Sequence, residues 1–91
     1  MFQEIYIIED EAELIYKVIE QFKEDKAYKF KSIKTNELEI ALSDIPALII
    51  IHEDKINSDI VELCHQVRNN EDNSITPIIV ITSNREDEHR L

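Results

Sequence analysis

The sequence predicts an α/β protein in which parallel strands alternate with helices. Three short apolar runs stand at 5–8, 48–51 and 78–81. Continuous runs of this length are typical of strands buried on both faces of a sheet. Between the runs, apolar residues recur at helical spacing. Strands that alternate with single helices favour right-handed crossovers and a mostly parallel sheet with helices on both faces, a three-layer αβα arrangement.

The first third of the chain predicts two strands joined by a helix. The run 5–8 is the first strand, and the apolar residues after it lie along one helical stripe: Leu14, Ile15, Val18, Ile19 and Phe22. Tyr28 and Phe30 then alternate with Ala27, Lys29 and Lys31. Alternation of apolar and polar residues with a period of two, which gives one polar face, predicts an edge strand.

The rest of the chain repeats this alternation. Thr35 or Asn36 is expected to cap a second helix, and Pro46 is expected to end it. The apolar stripe of this helix comprises Leu38, Ala41, Leu42 and Ile45. Ser58 or Asp59 is expected to cap a third, with the stripe Ile60, Leu63, Cys64 and Val67. Residues 69–74 predict a loop, 77–82 the fourth strand, and 84–91 the start of a fourth helix.

Length and composition indicate one small domain spanning residues 1–91. A net charge of −10 repels nucleic acid. A single cysteine excludes an internal disulfide framework and fits a reducing cytoplasm. No apolar run approaches the roughly 18 residues of a membrane span, and no basic segment precedes the first strand. The lack of glycine excludes glycine-rich phosphate loops.

Polar residues follow the ends of three predicted strands. Glu9 and Asp10 follow the first, His52 the third, and Thr82 ends the fourth. In an open parallel sheet, ligands and chemistry gather outside the carboxyl ends of the strands. We therefore expect two carboxylates, an imidazole and a hydroxyl at one edge of the sheet.

Four segments, in the right order and spacing, resemble the receiver domain of bacterial two-component response regulators: residues 5–11, 46–51, 59–68 and 77–83. The resemblance implies a flavodoxin-like parallel sheet of order 2-1-3-4-5. This chain would supply the first four strands, in the order 2-1-3-4, as the N-terminal region of a longer regulator. The family's fifth strand, its lysine and its last helix would lie beyond Leu91.

The resemblance also implies roles for the residues at the sheet edge. Glu9 and Asp10 match the acidic pair that holds Mg²⁺, and Thr82 matches the switch hydroxyl. The phosphate-accepting aspartate corresponds to His52, which cannot form an acyl phosphate and is a poor Mg²⁺ ligand. We expect no metal or cofactor beyond weak Mg²⁺ binding by Glu9 and Asp10. A protonated His52 would neutralise part of their charge.

Three alternatives for this edge stay open. Asp54 could be a displaced phosphoacceptor. His52, Glu9 and Asp10 could bind Zn²⁺ through one nitrogen and two carboxylates. His52 could itself be phosphorylated on nitrogen.

The sequence thus predicts an atypical receiver, not an enzyme, that acts in signal transduction through protein contacts. Its partners would be an output domain, a sensor kinase and a second copy of itself. We expect the homodimer to form near the fourth strand if the chain is full length. The other functions considered are a phosphorylation-competent receiver and an oligomerisation module without signal input.

Overall fold

Four parallel strands form the centre of the molecule. The computed structural model of the chain describes residues 3–82. The strands are β1 (Gln3–Ile8), β2 (Tyr28–Ile33), β3 (Leu48–His52) and β4 (Ile78–Ile81). They pair in parallel in the order β2-β1-β3-β4, which confirms the predicted α/β class and strand order. The predicted helix at 84–91 lies outside the described residues.

One helix connects each pair of consecutive strands. These are α1 (Leu14–Gln21), α2 (Leu38–Ala41) and α3 (Ile60–Asn69). Short 3₁₀ turns stand at Thr35–Glu37, Glu53–Lys55 and Glu71–Asn73. Among the described residues, no helix has the length and apolar character needed to cross a membrane.

The main core lies between one face of the sheet and the helices α2 and α3. Successive side chains of a strand point to opposite faces, and alternate residues of β1 and β3 enter this core. It comprises Tyr6, Ile8, Ile33, Leu38, Leu42, Ile49, Ile51, Leu63 and Val67. Cys64 is partly buried and packs against it, as its place on the α3 stripe predicts. Burying one such large side chain fully contributes about 1.5–3 kcal/mol.

The second helix is shorter than predicted. It ends at Ala41 rather than at Pro46, so Ile45 is not on its stripe and is 64% exposed. The amides of Ser43 and Asp44 turn back to carbonyls of the last helical turn. The side-chain amide of Asn73 then donates to the carbonyls of Leu42 and Asp44. These hydrogen bonds pair the backbone groups after Ala41 although the helix does not continue. The contacts of Asn73 are long-range, so the local sequence pattern does not encode them.

The predicted helix caps are right at one position and wrong at another. Asp59 caps α3, accepting a hydrogen bond from the Val61 amide at 3.0 Å. Neither Thr35 nor Asn36 caps α2, because both lie within the 3₁₀ turn that precedes it. Thr35 instead uses its amide and hydroxyl to bind Asp10.

The predicted loop at 69–74 contains the last residue of α3 and a 3₁₀ turn. Asn73 in that turn is completely buried. Its side chain bonds to the segment after α2, so this turn helps to fix the position of the entry to β3.

Candidate functional site

A buried carboxylate and a buried imidazole meet where β1 and β3 end. Oε1 of Glu9 lies 2.8 Å from Nδ1 of His52. The two residues are 1% and 8% exposed. An ionised carboxylate can only accept, so Nδ1 of His52 must donate. Both the imidazolium and the neutral Nδ1–H tautomer satisfy this contact, and the imidazolium therefore stays a prediction.

The same carboxylate holds the beginning of α1. Glu9 accepts hydrogen bonds from the amides of Glu13, Leu14 and Ile15 at 3.1, 3.1 and 3.0 Å. The residue at the N-cap position, Glu13, makes no capping bond with its own side chain. Glu9 thus replaces the usual cap and places negative charge at the positive end of the helix dipole.

The surroundings of Glu9 stabilise its ionised form. Burial raises the pKa of Glu9, but the hydrogen bonds from His52 and from the amides of Ile15, Glu13 and Leu14 lower it by more. The net effect is a pKa below the usual value for a glutamate. The carboxylate is therefore charged at neutral pH without a metal ion.

Asp10 turns to a different set of donors. Its carboxylate accepts from the Thr35 amide at 2.8 Å and hydroxyl at 2.9 Å, and from the Asn57 amide at 2.7 Å. Burial raises the pKa of Asp10, and these hydrogen bonds outweigh it and bring the pKa below its usual value. Asp10 thereby ties the loop after β2 to the loop after β3.

A lysine that sequence analysis missed lies beside the acidic residues. Nζ of Lys55 is 3.1 Å from Oε1 of Glu11 and 3.8 Å from Oε1 of Glu13. The Lys55 carbonyl also accepts from the Asp10 amide at 2.7 Å. The hydrogen bond to Glu11 and the nearby acidic charges raise the pKa of Lys55. The Lys55 and Glu11 contact spans 44 positions, and no local pattern could have indicated it.

Thr82 lies beside Asp54 rather than in the buried pair. Its hydroxyl donates to Oδ1 of Asp54 at 3.3 Å. The residues predicted to meet at this edge therefore divide into three groups: Glu9 with His52, Asp10 with the two loops, and Thr82 with Asp54.

This division determines what the site can do with a cation. Each carboxylate oxygen of Glu9 already has two partners, Leu14 and His52 at Oε1 and Glu13 and Ile15 at Oε2. A carboxylate offers about four lone-pair positions. A cation at Glu9 would therefore compete with the cap of α1. Across residues 3–82, no three histidine, cysteine or acidic side chains come together to hold a metal ion.

Comparison with protein-family models, with curated proteins and with solved structures finds no match to this chain. A functional interpretation therefore depends on the fold and on the geometry at the carboxyl ends of the strands.

Proposed function

We propose that this chain is an atypical receiver domain that passes a signal through protein contacts, without phosphorylation of an aspartate. The observation that carries the proposal is the buried pair of Glu9 and His52, 2.8 Å apart at the ends of β1 and β3. A receiver needs a carboxylate nucleophile at the end of β3. Here an imidazole stands there and donates to the remaining carboxylate.

The sheet supports this assignment. Its parallel order β2-β1-β3-β4 is consistent with a flavodoxin-like fold. In the proposed three-layer arrangement, α2 and α3 cover one face and α1 the other. The family's fifth strand, lysine and last helix would come from residues after Leu91. An output domain and a sensor kinase would be the partners, in the cytoplasm.

Hydrogen bonding at the acidic residues supports the same function. Four donors occupy Glu9, and Asp10 binds the amides of Thr35 and Asn57. Mg²⁺ needs oxygen ligands in near-octahedral geometry. Recruiting these carboxylates would release backbone amides that they now satisfy, at a cost of about 1–3 kcal/mol for each one left buried and unpaired.

Exposure to a small phosphate donor tests the proposal. The 91-residue chain is incubated with acetyl phosphate and Mg²⁺, beside a phosphorylatable receiver that shows the reagent to be active. Intact-mass spectrometry should find no added phosphoryl group on this chain. An acid-labile phosphoryl group on a carboxylate would contradict the proposal.

One observation favours a second function, a receiver that uses Asp54 as a displaced acceptor. Asp54 is exposed, and the Thr82 hydroxyl donates to it at 3.3 Å. This brings a hydroxyl and an accessible carboxylate together at the correct end of the sheet. In the same assay, phosphorylation that Asp54→Asn abolishes and Asp59→Asn retains would establish this alternative.

The exposed side chains of β4 favour a third function, an oligomerisation module without signal input. Ile79, Val80 and Ile81 are 48%, 43% and 37% exposed. Association that depends on concentration but does not respond to phosphate donors would mark this function.

A further inference from the structure

The segment after β3 is bonded to the segment after β1 at three points. Nδ1 of His52 lies 2.8 Å from the Glu9 carboxylate, and this contact is buried. The carbonyl of Lys55 accepts from the Asp10 amide at 2.7 Å. The Asn57 amide donates to the Asp10 carboxylate at 2.7 Å. Because backbone groups take part in the second and third bonds, the paths of the chain after β1 and after β3 are fixed to each other.

The first turn of α1 depends on the segment after β1 for its hydrogen bonds. The first amides of a helix have no acceptor within the helix. Here the amides of Glu13, Leu14 and Ile15, which we call the first-turn amides, donate to the carboxylate of Glu9. The side chain at the N-cap position makes no capping bond. The turn is therefore held from outside the helix, by the residue that follows β1.

The position of the Glu9 carboxylate depends in turn on His52. The Glu9 side chain is completely buried, so water does not replace a donor that is lost. His52 supplies the one hydrogen bond to this carboxylate that does not come from the first-turn amides. A buried charge that loses a donor is strongly disfavoured. It would take up a proton or turn toward solvent, and both changes weaken its hold on the first-turn amides.

Both ends of this series of contacts lie at the surface. Glu53 and Asp54 are exposed in the 3₁₀ turn that follows His52. At the other end, Tyr16 in the first turn of α1 is 67% exposed. A partner can therefore reach the turn after β3 without entering the core, and a change at the start of α1 alters the surface around Tyr16.

We propose that Glu9 and His52 form a relay that couples the turn after β3 to the first turn of α1. A protein partner that binds Glu53–Lys55 in a displaced position would withdraw His52 from Glu9 and release the first-turn amides. A change between order and disorder in a short segment is one of the known forms of protein switch. The partner shifts this equilibrium only by the difference between its affinities for the two positions of the turn.

The inference deepens the proposed function, since it rests on the chain passing a signal through protein contacts and names an internal route for that signal. The two can fail separately. Phosphorylation of an aspartate by acetyl phosphate would remove the proposed function and leave the coupling to α1 measurable. Unchanged hydrogen exchange in the variants below would remove the relay and leave His52 in the place of the acceptor.

A pair of glycine substitutions tests the relay without touching the buried pair. Glu53→Gly/Asp54→Gly loosens the 3₁₀ turn after β3, because glycine has more conformational freedom than other residues. Hydrogen exchange is followed by NMR on the 91-residue chain. In this variant the first-turn amides should exchange at least about threefold faster than in the wild type.

Glu71→Gly/Asp72→Gly is the matched control. It replaces the same two residue types at the same two positions of another 3₁₀ turn. All four substituted residues are exposed, and circular dichroism checks that each variant keeps the fold. The control should leave the exchange of the first-turn amides unchanged. The Phe22 amide, which donates to the Val18 carbonyl at the other end of α1, should keep its rate in both variants.

Two substitutions at His52 test the relay directly. His52→Leu removes the donor, and the first-turn amides should exchange at least about tenfold faster, as expected for the loss of a hydrogen bond to a charged group. His52→Asn keeps an N–H donor on a short side chain and should restore most of the protection. Val67→Ala removes buried volume from the main core on α3 and shows the exchange pattern that a general loss of stability produces.

Four results would overturn the proposal. They are equal acceleration in the two glycine variants, no acceleration of the first-turn amides in Glu53→Gly/Asp54→Gly, the same exchange pattern in His52→Leu as in Val67→Ala, and no recovery of protection in His52→Asn. If His52→Leu does not fold, the two glycine variants decide, because they leave the buried pair intact.

Discussion

The carboxylate of Glu9 connects His52 to the first turn of α1. It lies 2.8 Å from Nδ1 of His52 and accepts from the amides of Glu13, Leu14 and Ile15. The end of β3 and the beginning of α1 therefore share one buried charge. A change at His52 alters the donor set of the group that caps the helix.

Glu9→Gln should strongly destabilise the domain. The amide side chain keeps one acceptor oxygen, but its NH₂ group would face backbone donors and His52. The loss of charge-assisted hydrogen bonds in a buried site is expected to cost about 2–4 kcal/mol. That is a large part of the roughly 5 kcal/mol at the lower end for small domains. Urea unfolding followed by circular dichroism measures it.

Glu20→Gln is the matched control for this substitution. Glu20 lies on α1 and forms an exposed ion pair with Lys23 at 3.2 Å. Exposed pairs contribute about 0–1 kcal/mol, so this variant should remain close to the wild type. Similar losses in both variants would contradict the capping role of Glu9.

Stability should fall with acid below about pH 5, because both acidic residues have lowered pKa values in the fold. The ordinary pKa values are 4.5 for Glu9 and 3.8 for Asp10. At pH values between the pKa in the folded protein and the pKa in the unfolded chain, each carboxyl group binds more protons when the chain is unfolded. Acid therefore favours unfolding. The contribution of each group to the free energy of unfolding is complete above its pKa in the unfolded chain. It is lost as the pH falls through its pKa in the folded protein.

Urea unfolding measured from pH 7 to about pH 3 tests this linkage. The free energy of unfolding should decline more steeply in the wild type than in Asp10→Asn, which lacks one of the two groups. The comparison uses Asp10 because Glu9→Gln is expected to be too unstable for a full series. Parallel curves for wild type and Asp10→Asn would mean that Asp10 does not gain stability from Thr35 and Asn57.

His52→Asp should make the stability of the domain depend on Mg²⁺. Without a cation, the new carboxylate would face Glu9 in a buried site and repel it. Mg²⁺ would offset that repulsion, and a ligand at about 100 times its Kd stabilises by about 2.7 kcal/mol. The wild type should bind Mg²⁺ with a Kd no lower than about 1 mM, since His52 already donates a hydrogen bond to the Glu9 carboxylate and is a poor Mg²⁺ ligand. Thermal unfolding with and without Mg²⁺ gives both results.

His65→Asp provides the control for this change, because His65 is exposed on α3 and the substitution is identical. Its stability should not respond to Mg²⁺ beyond the response of the wild type. An unchanged Mg²⁺ affinity in His52→Asp, or submillimolar binding by the wild type, would show that position 52 does not control a cation site.

The positions of the strands and helices could be predicted because each depends on local pattern, whereas the strand order followed only from the resemblance to receiver domains. Buried runs such as 48–51 mark strands, and stripes such as that of Leu63 and Val67 mark the buried side of a helix. The early end of α2 could not be predicted, because it depends on Asn73, far along the chain, donating to Leu42 and Asp44. The helix propensities of the residues in this segment carry no information on such a contact.

The candidate site was predictable in composition but not in arrangement. The polar residues after the strands are evident from the sequence, and Glu9 does meet His52. Side-chain direction is set by the donors nearby, which turn Asp10 toward Thr35 and Asn57. The capping role of Glu9 had one available signal: the first turn of α1 follows Glu13, a poor N-cap residue, so its amides needed another acceptor.

The last prediction concerns β4, which stands at one end of the strand order. An exposed apolar edge strand invites pairing with another chain. Ile79, Val80 and Ile81 are 48%, 43% and 37% exposed. If the chain is full length, we expect it to dimerise near β4 at tens of micromolar, and more strongly at high salt, because salt screens the repulsion between two chains of charge −10.

Sedimentation equilibrium of two matched variants locates the interface. Ile79→Lys adds a charge to β4 and should leave the chain monomeric at concentrations where the wild type is dimeric. Ile40→Lys makes the same change on α2, at a residue that is 79% exposed, and should leave the dimer intact. A monomeric wild type would show the prediction to be wrong. A dimer that Ile40→Lys disrupts and Ile79→Lys does not would place the interface on α2 instead, away from the strand whose exposed isoleucines and valine led us to expect it.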